Sequence, residues 1–97
     1  MKDIIQNLNK AFESRVRLGV MSILIVNEWV EFNNLKEMLN VTDGNLASHI
    51  TALEKLKYIR IKKKFVGKKP NTSYGITDLG KKAFTEHLDA LEKLLKN

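Results

Sequence analysis

The chain sets long stretches of apolar residues at helical spacing against two short stretches of apolar–polar alternation, the first interrupted at Lys63, and their order predicts its elements. In DIIQNLNKAF (3–12) the apolar positions are Ile4, Ile5, Leu8, Ala11 and Phe12, the i, i+4, i+7 spacing of one helix face. Ser14 stands where an N-cap would open a second helix, on which Val16, Val20, Ile23 and Leu24 share a face. A short extended piece from Trp29 to Phe32 follows. Asn33 then reads as the cap of FNNLKEMLN, with Leu35, Met38 and Leu39 turned inward.

Only a few residues separate that helix from Thr42, a good N-cap that opens TDGNLASHITALEKLKY. Leu46, Ile50, Leu53 and Leu56 form its apolar stripe, while Asn45, Ser48, His49, Ala52 and Lys55 face the other way. Two short helices joined by about three residues, with a small apolar residue in the turn, make a helix-turn-helix. Beyond it Ile59, Ile61 and Phe65 lie on one face of a strand, with Arg60, Lys62 and Lys64 on the other. Tyr74 and Ile76 give a second strand its buried face, and Gly67 to Asn71 is the expected hairpin loop. The last helix opens at Thr77 with Asp78 in its first turn, where a negative charge suits the dipole. The predicted order is α-α-β-α-α-β-β-α, mainly α with a small β-hairpin, which is a winged helix-turn-helix. Its expected parts are a helix-turn-helix over 33–57, a wing over 59–77, and terminal dimerisation helices over 1–12 and 78–97.

Length and composition narrow this further. At 97 residues the chain makes one domain, 1–97, with a core small enough to gain from a partner chain. The absence of cysteine removes disulfides and thiolate metal sites together and fits a reducing compartment. The longest apolar run, LGVMSILIV (18–26), is too short to span a bilayer and lacks a cleavage-site pattern after it, so it reads as a core helix of a cytoplasmic protein. Charge is unevenly placed. Residues 1–54 carry five basic and seven acidic side chains, residues 55–82 ten basic and one acidic, and residues 83–97 have a net charge of −1. A block of net +9 points to a polyanion, nucleic acid first. Lysines guarding an exposed edge strand against aggregation would produce a similar pattern.

The runs VTDGNLASHITALEKLKYI (41–59) and KKKFVGKKPNTSYGITDLGKKAF (62–84) together closely resemble a family of small single-domain bacterial and archaeal winged-helix transcriptional regulators. That family is related to the MarR and arsenic-sensor repressors. The likeness extends upstream through VRLGVMSIL (16–24) and FNNLKEML (32–39), and covers roughly residues 14–95. Its specificity lies in the combination of GNL..H, F.G..P.T and T..G at these separations. The resemblance implies that the helix after the turn lies in the major groove and that the hairpin touches backbone or minor groove. Carried over by position, Thr42, Asn45, Ser48, His49 and Lys55 present the recognition helix, and Lys64, Lys68, Lys69, Pro70 and Asn71 form the wing. One departure stands out: where the family usually has glycine before the Tyr-Ile that ends the recognition helix, this chain has Lys57. A non-glycine residue in a left-handed C-terminal position costs on the order of 1 kcal/mol.

The residue types suit the task. Lysines neutralise phosphates and release counterions without reading sequence. Asparagine, serine and histidine on an exposed helix face can read base edges. The plainer roles are that Thr42 only caps, that His49 is a surface residue, and that Lys62 and Lys63 are solvated guards. Arg15 and Arg17 read more readily as solvated or ion-paired than as backbone contacts.

The terminal stripes, Ile4, Ile5 and Leu8 with Phe84, Leu88, Leu91 and Leu95, exceed what so small a core needs. A two-fold homodimer burying them fits reading of a palindrome with half-sites about one helical turn apart.

Enzyme chemistry finds no support. His49 and His87 are the only histidines, and neither belongs to a metal-ligand spacing. There is no GxSxG or phosphate loop, no cofactor is implied, and cysteine-based metal sensing is excluded. A small-molecule effector between the terminal helices and the core stays open, with no residue naming a ligand. The expected function is therefore sequence-specific double-stranded DNA binding by a homodimeric transcriptional regulator, a repressor by steric occlusion. The alternative is a winged-helix module for protein or RNA whose lysines protect an edge.

Overall fold

The computed structural model of the chain describes residues 2–96; Met1 and Asn97, the outer limits of the expected terminal helices, lie outside the described residues. Helix α1 (Lys2–Gln6) is followed by a single 3-10 turn, Lys10–Phe12. The continuous helix expected over 3–12 is thus broken, and Asn9 breaks it. Its backbone is extended and its side-chain oxygen accepts from Ala11 N. Its own N–H donates to His87 Nδ1 at 2.9 Å, and its amide donates to Tyr58 OH at 3.0 Å. Asparagine competes poorly for a helix interior, so these distant partners decide the local conformation.

Helix α2 (Arg15–Leu24) opens at Ser14, whose Oγ accepts from Arg17 N at 3.3 Å, and buries Val20, Met21 and Leu24. Strand β1 (Val30–Glu31) runs directly into α3 (Phe32–Leu39). Glu31 therefore holds the cap position without a side-chain cap bond, and Asn33, the expected cap, lies within the first turn. The pairing of Val30 with Tyr74 and of Glu31 with Ser73 fixes where the extended chain must stop, which overrides the local capping preference. Leu35 is buried as expected, but Met38 points to solvent.

The turn is held at both ends. Asn40 takes a left-handed φ of 53°, Asn40 N donates to Glu37 O and Val41 N to Lys36 O, the double bond of a Schellman ending. Helix α4 (Asp43–Lys55) then starts at Thr42, whose Oγ1 accepts from Asn45 N at 3.2 Å. Leu46, Ile50 and Leu53 are buried beneath it, whereas Leu56 lies past the last turn and is exposed. The helix ends in the same motif: Tyr58 N donates to Leu53 O at 3.1 Å, Lys57 N to Glu54 O at 2.9 Å, and Lys57 sits at φ 63°. The left-handed position expected at Lys57 is there, occupied by a residue with a Cβ.

Strands β2 (Ile59–Val66) and β3 (Lys69–Ile76) pair antiparallel from Ile59↔Ile76 out to Val66↔Lys69, giving a sheet ordered β1-β3-β2. The loop is only Gly67-Lys68, with Gly67 at φ 66°, the type II′ pattern. Lys69, Pro70 and Asn71, expected in the loop, belong to β3 instead. Pro70 is tolerated there because β1 pairs only with Ser73 and Tyr74, so β3 has a free edge at that level.

Helix α5 (Asp78–Lys96) is fastened to the end of α4 by Thr77. Thr77 N donates to Tyr58 O, Thr77 Oγ1 donates to Lys57 O at 2.7 Å, and the same oxygen accepts from Gly80 N at 2.9 Å. A Cβ on Gly80 would lie 2.0 Å from Tyr58 O, so only glycine permits this approach. The core gathers Phe12, Val20, Met21, Leu24, Val30, Leu35, Leu46, Ile50, Leu53, Ile59, Tyr74 and Phe84 between the helices and one face of the sheet. Among the described residues no helix is long and apolar enough to cross a membrane.

Candidate nucleic-acid interface

Helix α4 rests on Leu46, Ile50 and Leu53, which turns Asn45, Ser48 and Lys55 outward. Their i, i+3, i+10 spacing keeps them on one face over about 15 Å of helix. Thr42, at the start of that face, spends its oxygen on the cap. Asp43 pairs with Lys36 of α3 at 2.8 Å, which braces the two helices across the turn.

His49 is half-buried and differs from its neighbours. Arg17 Nε, from α2, donates to its Nδ1 at 3.0 Å. Burial, and then the Arg17 charge, push the His49 pKa down. Position in sequence did not mark Arg17 for this role, since the two residues are 32 apart and meet only through packing of α2 on α4.

On β2 the side chains alternate, so Arg60, Lys62 and Lys64 share the face opposite Ile59, Ile61, Lys63 and Phe65. Arg60 Cζ and Lys62 Nζ lie over the Trp29 ring, 4.5 Å and 4.4 Å from its centroid. Exposed contacts of this kind stabilise by about 0.5–1 kcal/mol each. They tie the root of the hairpin to the segment before β1. Trp29 is a second residue that sequence reasoning left without a task.

Further out, Lys63, Lys64, Lys68 and Lys69 are exposed, and among the described residues none of them is in an ion pair. Phe65, expected on the buried face, has the right alternation but projects past the core and is 73% exposed. Lys69 and Pro70 are exposed beside it on β3, while Asn71 is half-buried.

The expected interface residues of α5 share one face of the helix but divide along its length. Phe84 is only 2% exposed and meets Phe12 edge-on, so it belongs to the core of the domain and adds nothing to an outer stripe. Leu88, Leu91 and Leu95 are 42%, 37% and 89% exposed, and Ile5 of the adjoining α1 is 54% exposed. Ile4 and Leu8 are half-buried. An open cleft of about 610 Å³ lies between residues 6–10 and α5, with Lys10, Glu86, Asp89 and Lys93 on its walls. Among the described residues no three His, Asp or Glu side chains converge as a metal site.

A capped helix with an open polar face, a tight turn before it and a cationic hairpin after it define a winged-helix DNA-binding protein of the transcriptional-regulator class. The chain belongs to the winged helix DNA-binding domain family, whose model matches residues 16–95. It is 39% identical over 88 residues to an uncharacterized protein of Methanocaldococcus jannaschii, covering 91% of this chain and 96% of that one. Its fold is similar to a transcriptional regulator homologue of Pyrococcus horikoshii OT3, with TM-score 0.85 and 29% identity over 98% of this chain and 92% of the other. The fold also matches MepR of S. aureus, solved as a DNA complex, with TM-score 0.77 and 16% identity over 97% of this chain and 77% of that one. The family is one of DNA-binding regulators and not of enzymes.

Proposed function

We propose that the chain is a homodimeric repressor that occupies a two-fold operator in the cytoplasm. In this reading α4 lies in the major groove, and the hairpin of each protomer tracks the adjacent backbone or minor groove. The observation that carries the reading is that Lys64, Lys68 and Lys69 are exposed and, among the described residues, in no ion pair, projecting directly after a helix whose outward face holds Asn45, Ser48 and Lys55. Cations left without acidic partners suit phosphates, and short polar groups suit base edges. The outer stripe of Leu88, Leu91 and Leu95 with Ile5 supports a second copy as the dimer partner, since a two-fold axis lets the same stripe cover itself. The expected domain boundaries fit the same reading: one unit, with the terminal helices at the dimer and the central elements at the duplex. A polar effector, if one acts, has its seat in the cleft beside α5.

Salt titration tests the proposal. With about eight phosphates neutralised per dimer, log K falls about seven units per tenfold rise in salt. Replacing Lys64, Lys68 and Lys69 by alanine removes six of these cations per dimer and flattens the slope by about five units. An unchanged slope together with unchanged low-salt affinity would remove the wing from the interface.

A second reading has one observation in its favour. Strand β2 is an edge of the sheet and carries Arg60, Lys62, Lys63 and Lys64 along its length, the placement of residues that block edge-to-edge pairing. Under that reading the hairpin serves a protein- or RNA-binding module. Tighter retention of structured RNA or an acidic protein than of duplex DNA at matched salt would favour it.

A further inference from the structure

His49 sits on the recognition helix, and its ring has two chemically distinct nitrogens. An arginine Nε–H is always a donor, so the 3.0 Å contact with Arg17 requires His49 Nδ1 to be the acceptor. A ring that accepts at Nδ1 is neutral and carries its proton on Nε2. Arg17 comes from α2, inside the domain, and approaches His49 from that side. Nε2 therefore points away from α2; among the described residues nothing bonds it, and it is not a buried orphan. Free surface histidines exchange between tautomers, so an imidazole without this contact presents a mixture of states at Nε2, with the Nε2–H form the more populated but not the sole one. The helix pair removes that ambiguity before any duplex arrives.

We propose that Arg17 is a positioning residue that fixes His49 as an Nε2–H donor, so that α4 selects a base offering an acceptor in the major groove at the position His49 meets. Purine N7, guanine O6 and thymine O4 satisfy that donor, whereas cytosine presents N4–H₂ there and is disfavoured on the contacted strand. The inference rests on the reading of α4 as the groove-reading helix.

The test pairs a spectroscopic signature with a binding profile. In wild-type chain labelled with ¹⁵N-histidine, the His49 resonances, assigned by loss in His49→Gln, show an unprotonated Nδ1 and a protonated Nε2 at neutral pH. Arg17→Met moves them towards a mixture of tautomers. Across duplexes that vary one base pair at a time, wild type disfavours cytosine about tenfold or more at one half-site position. Arg17→Met reduces that discrimination to about threefold or less while preferences at other positions persist, and Arg17→Lys, which keeps a cationic donor, restores part of it. A protonated Nδ1 in wild type overturns the proposal. So does full retention of the preference in Arg17→Met, or an equal loss of affinity for every duplex, the mark of a phosphate contact. A wild-type chain without preference at any position would instead remove the reading of α4 itself, and this inference with it.

Discussion

Replacing Lys57 by glycine should make the protein more stable, although it deletes a side chain and a charge. Lys57 is held at φ 63° by two bonds that close α4, Lys57 N to Glu54 O and Tyr58 N to Leu53 O, so the chain cannot relax out of the left-handed region without losing the motif. For a residue with a Cβ that region costs about 1–2 kcal/mol. Glycine returns about 0.4–1 kcal/mol of this through its more flexible unfolded chain. The net gain is about 0.5–1 kcal/mol, and nothing else is forfeited. The Lys57 side chain is exposed and unpaired among the described residues, and the carbonyl that Thr77 Oγ1 uses is present in glycine too. In a domain of this size each kcal/mol moves the midpoint by about 4–8 °C, so thermal unfolding at fixed protein concentration should shift up by about 2–8 °C. Asn40→Gly is the internal control. Its φ of 53° is of the same kind, but asparagine tolerates it better and the gain should be smaller. The reasoning is refuted if Lys57→Gly leaves the midpoint unchanged or lowers it. It is refuted equally if Lys57→Ala raises the midpoint as much, because alanine removes the side chain without relieving φ.

Three further outcomes follow from the geometry. Gly80→Ala should destabilise by about 3 kcal/mol in urea, because its methyl would drive α5 off the Tyr58 carbonyl and break the Thr77 junction; a loss below about 1 kcal/mol would show that the junction yields. Burial holds the His87 pKa below its ordinary 6.5, with Glu13 opposing weakly, so in acid the unfolded chain binds the extra proton first. The stability contributed by neutral His87 is complete above about pH 6.5 and declines as pH falls from there towards the depressed folded value; His87→Gln, which keeps an acceptor for Asn9 N, should show a shallower decline than wild type between pH 6.5 and 5, and equal slopes would exclude His87 as the source. If the proposed dimer forms through the outer stripe, wild type sediments as a dimer, and Leu88→Glu with Leu91→Glu should shift it to monomer with the helical circular dichroism intact, since both side chains are exposed in the single chain; a dimeric mass retained in the variant would move the interface off this stripe, and a monomeric wild type would refute the dimer.

What the sequence made legible was local. Thr42 and Ser14 act as caps within three residues of themselves, Gly67 makes a turn between its neighbours, and Lys57 is forced left-handed by a motif six residues long. These short-range bonds determined the helix-turn-helix, the wing and their order. The misses came where a distant partner outweighed a local preference. Asn9 leaves the helical pattern for His87 and Tyr58, 78 and 49 residues away. Asn33 loses its cap position because β1 must pair with β3. Periodicity rightly placed Phe84 with Leu88, Leu91 and Leu95 on one face of α5, but it could not show that Phe12 covers that face at Phe84 and leaves it open further along the helix. The same applies to the candidate interface. Exposed Asn45, Ser48 and the lysines followed from pattern and charge, whereas the Arg17–His49 and Trp29–Arg60–Lys62 contacts join elements whose approach no spacing encodes.

Enrichment of random duplexes by the wild-type chain tests the central claim most directly. The account predicts that the recovered sites share a two-fold symmetric sequence, with half-site centres about one helical turn, 10–10.5 base pairs, or a multiple of it apart. Recovery of unrelated sequences bound with uniform, low affinity would contradict it, and would leave the cationic hairpin without an operator to hold.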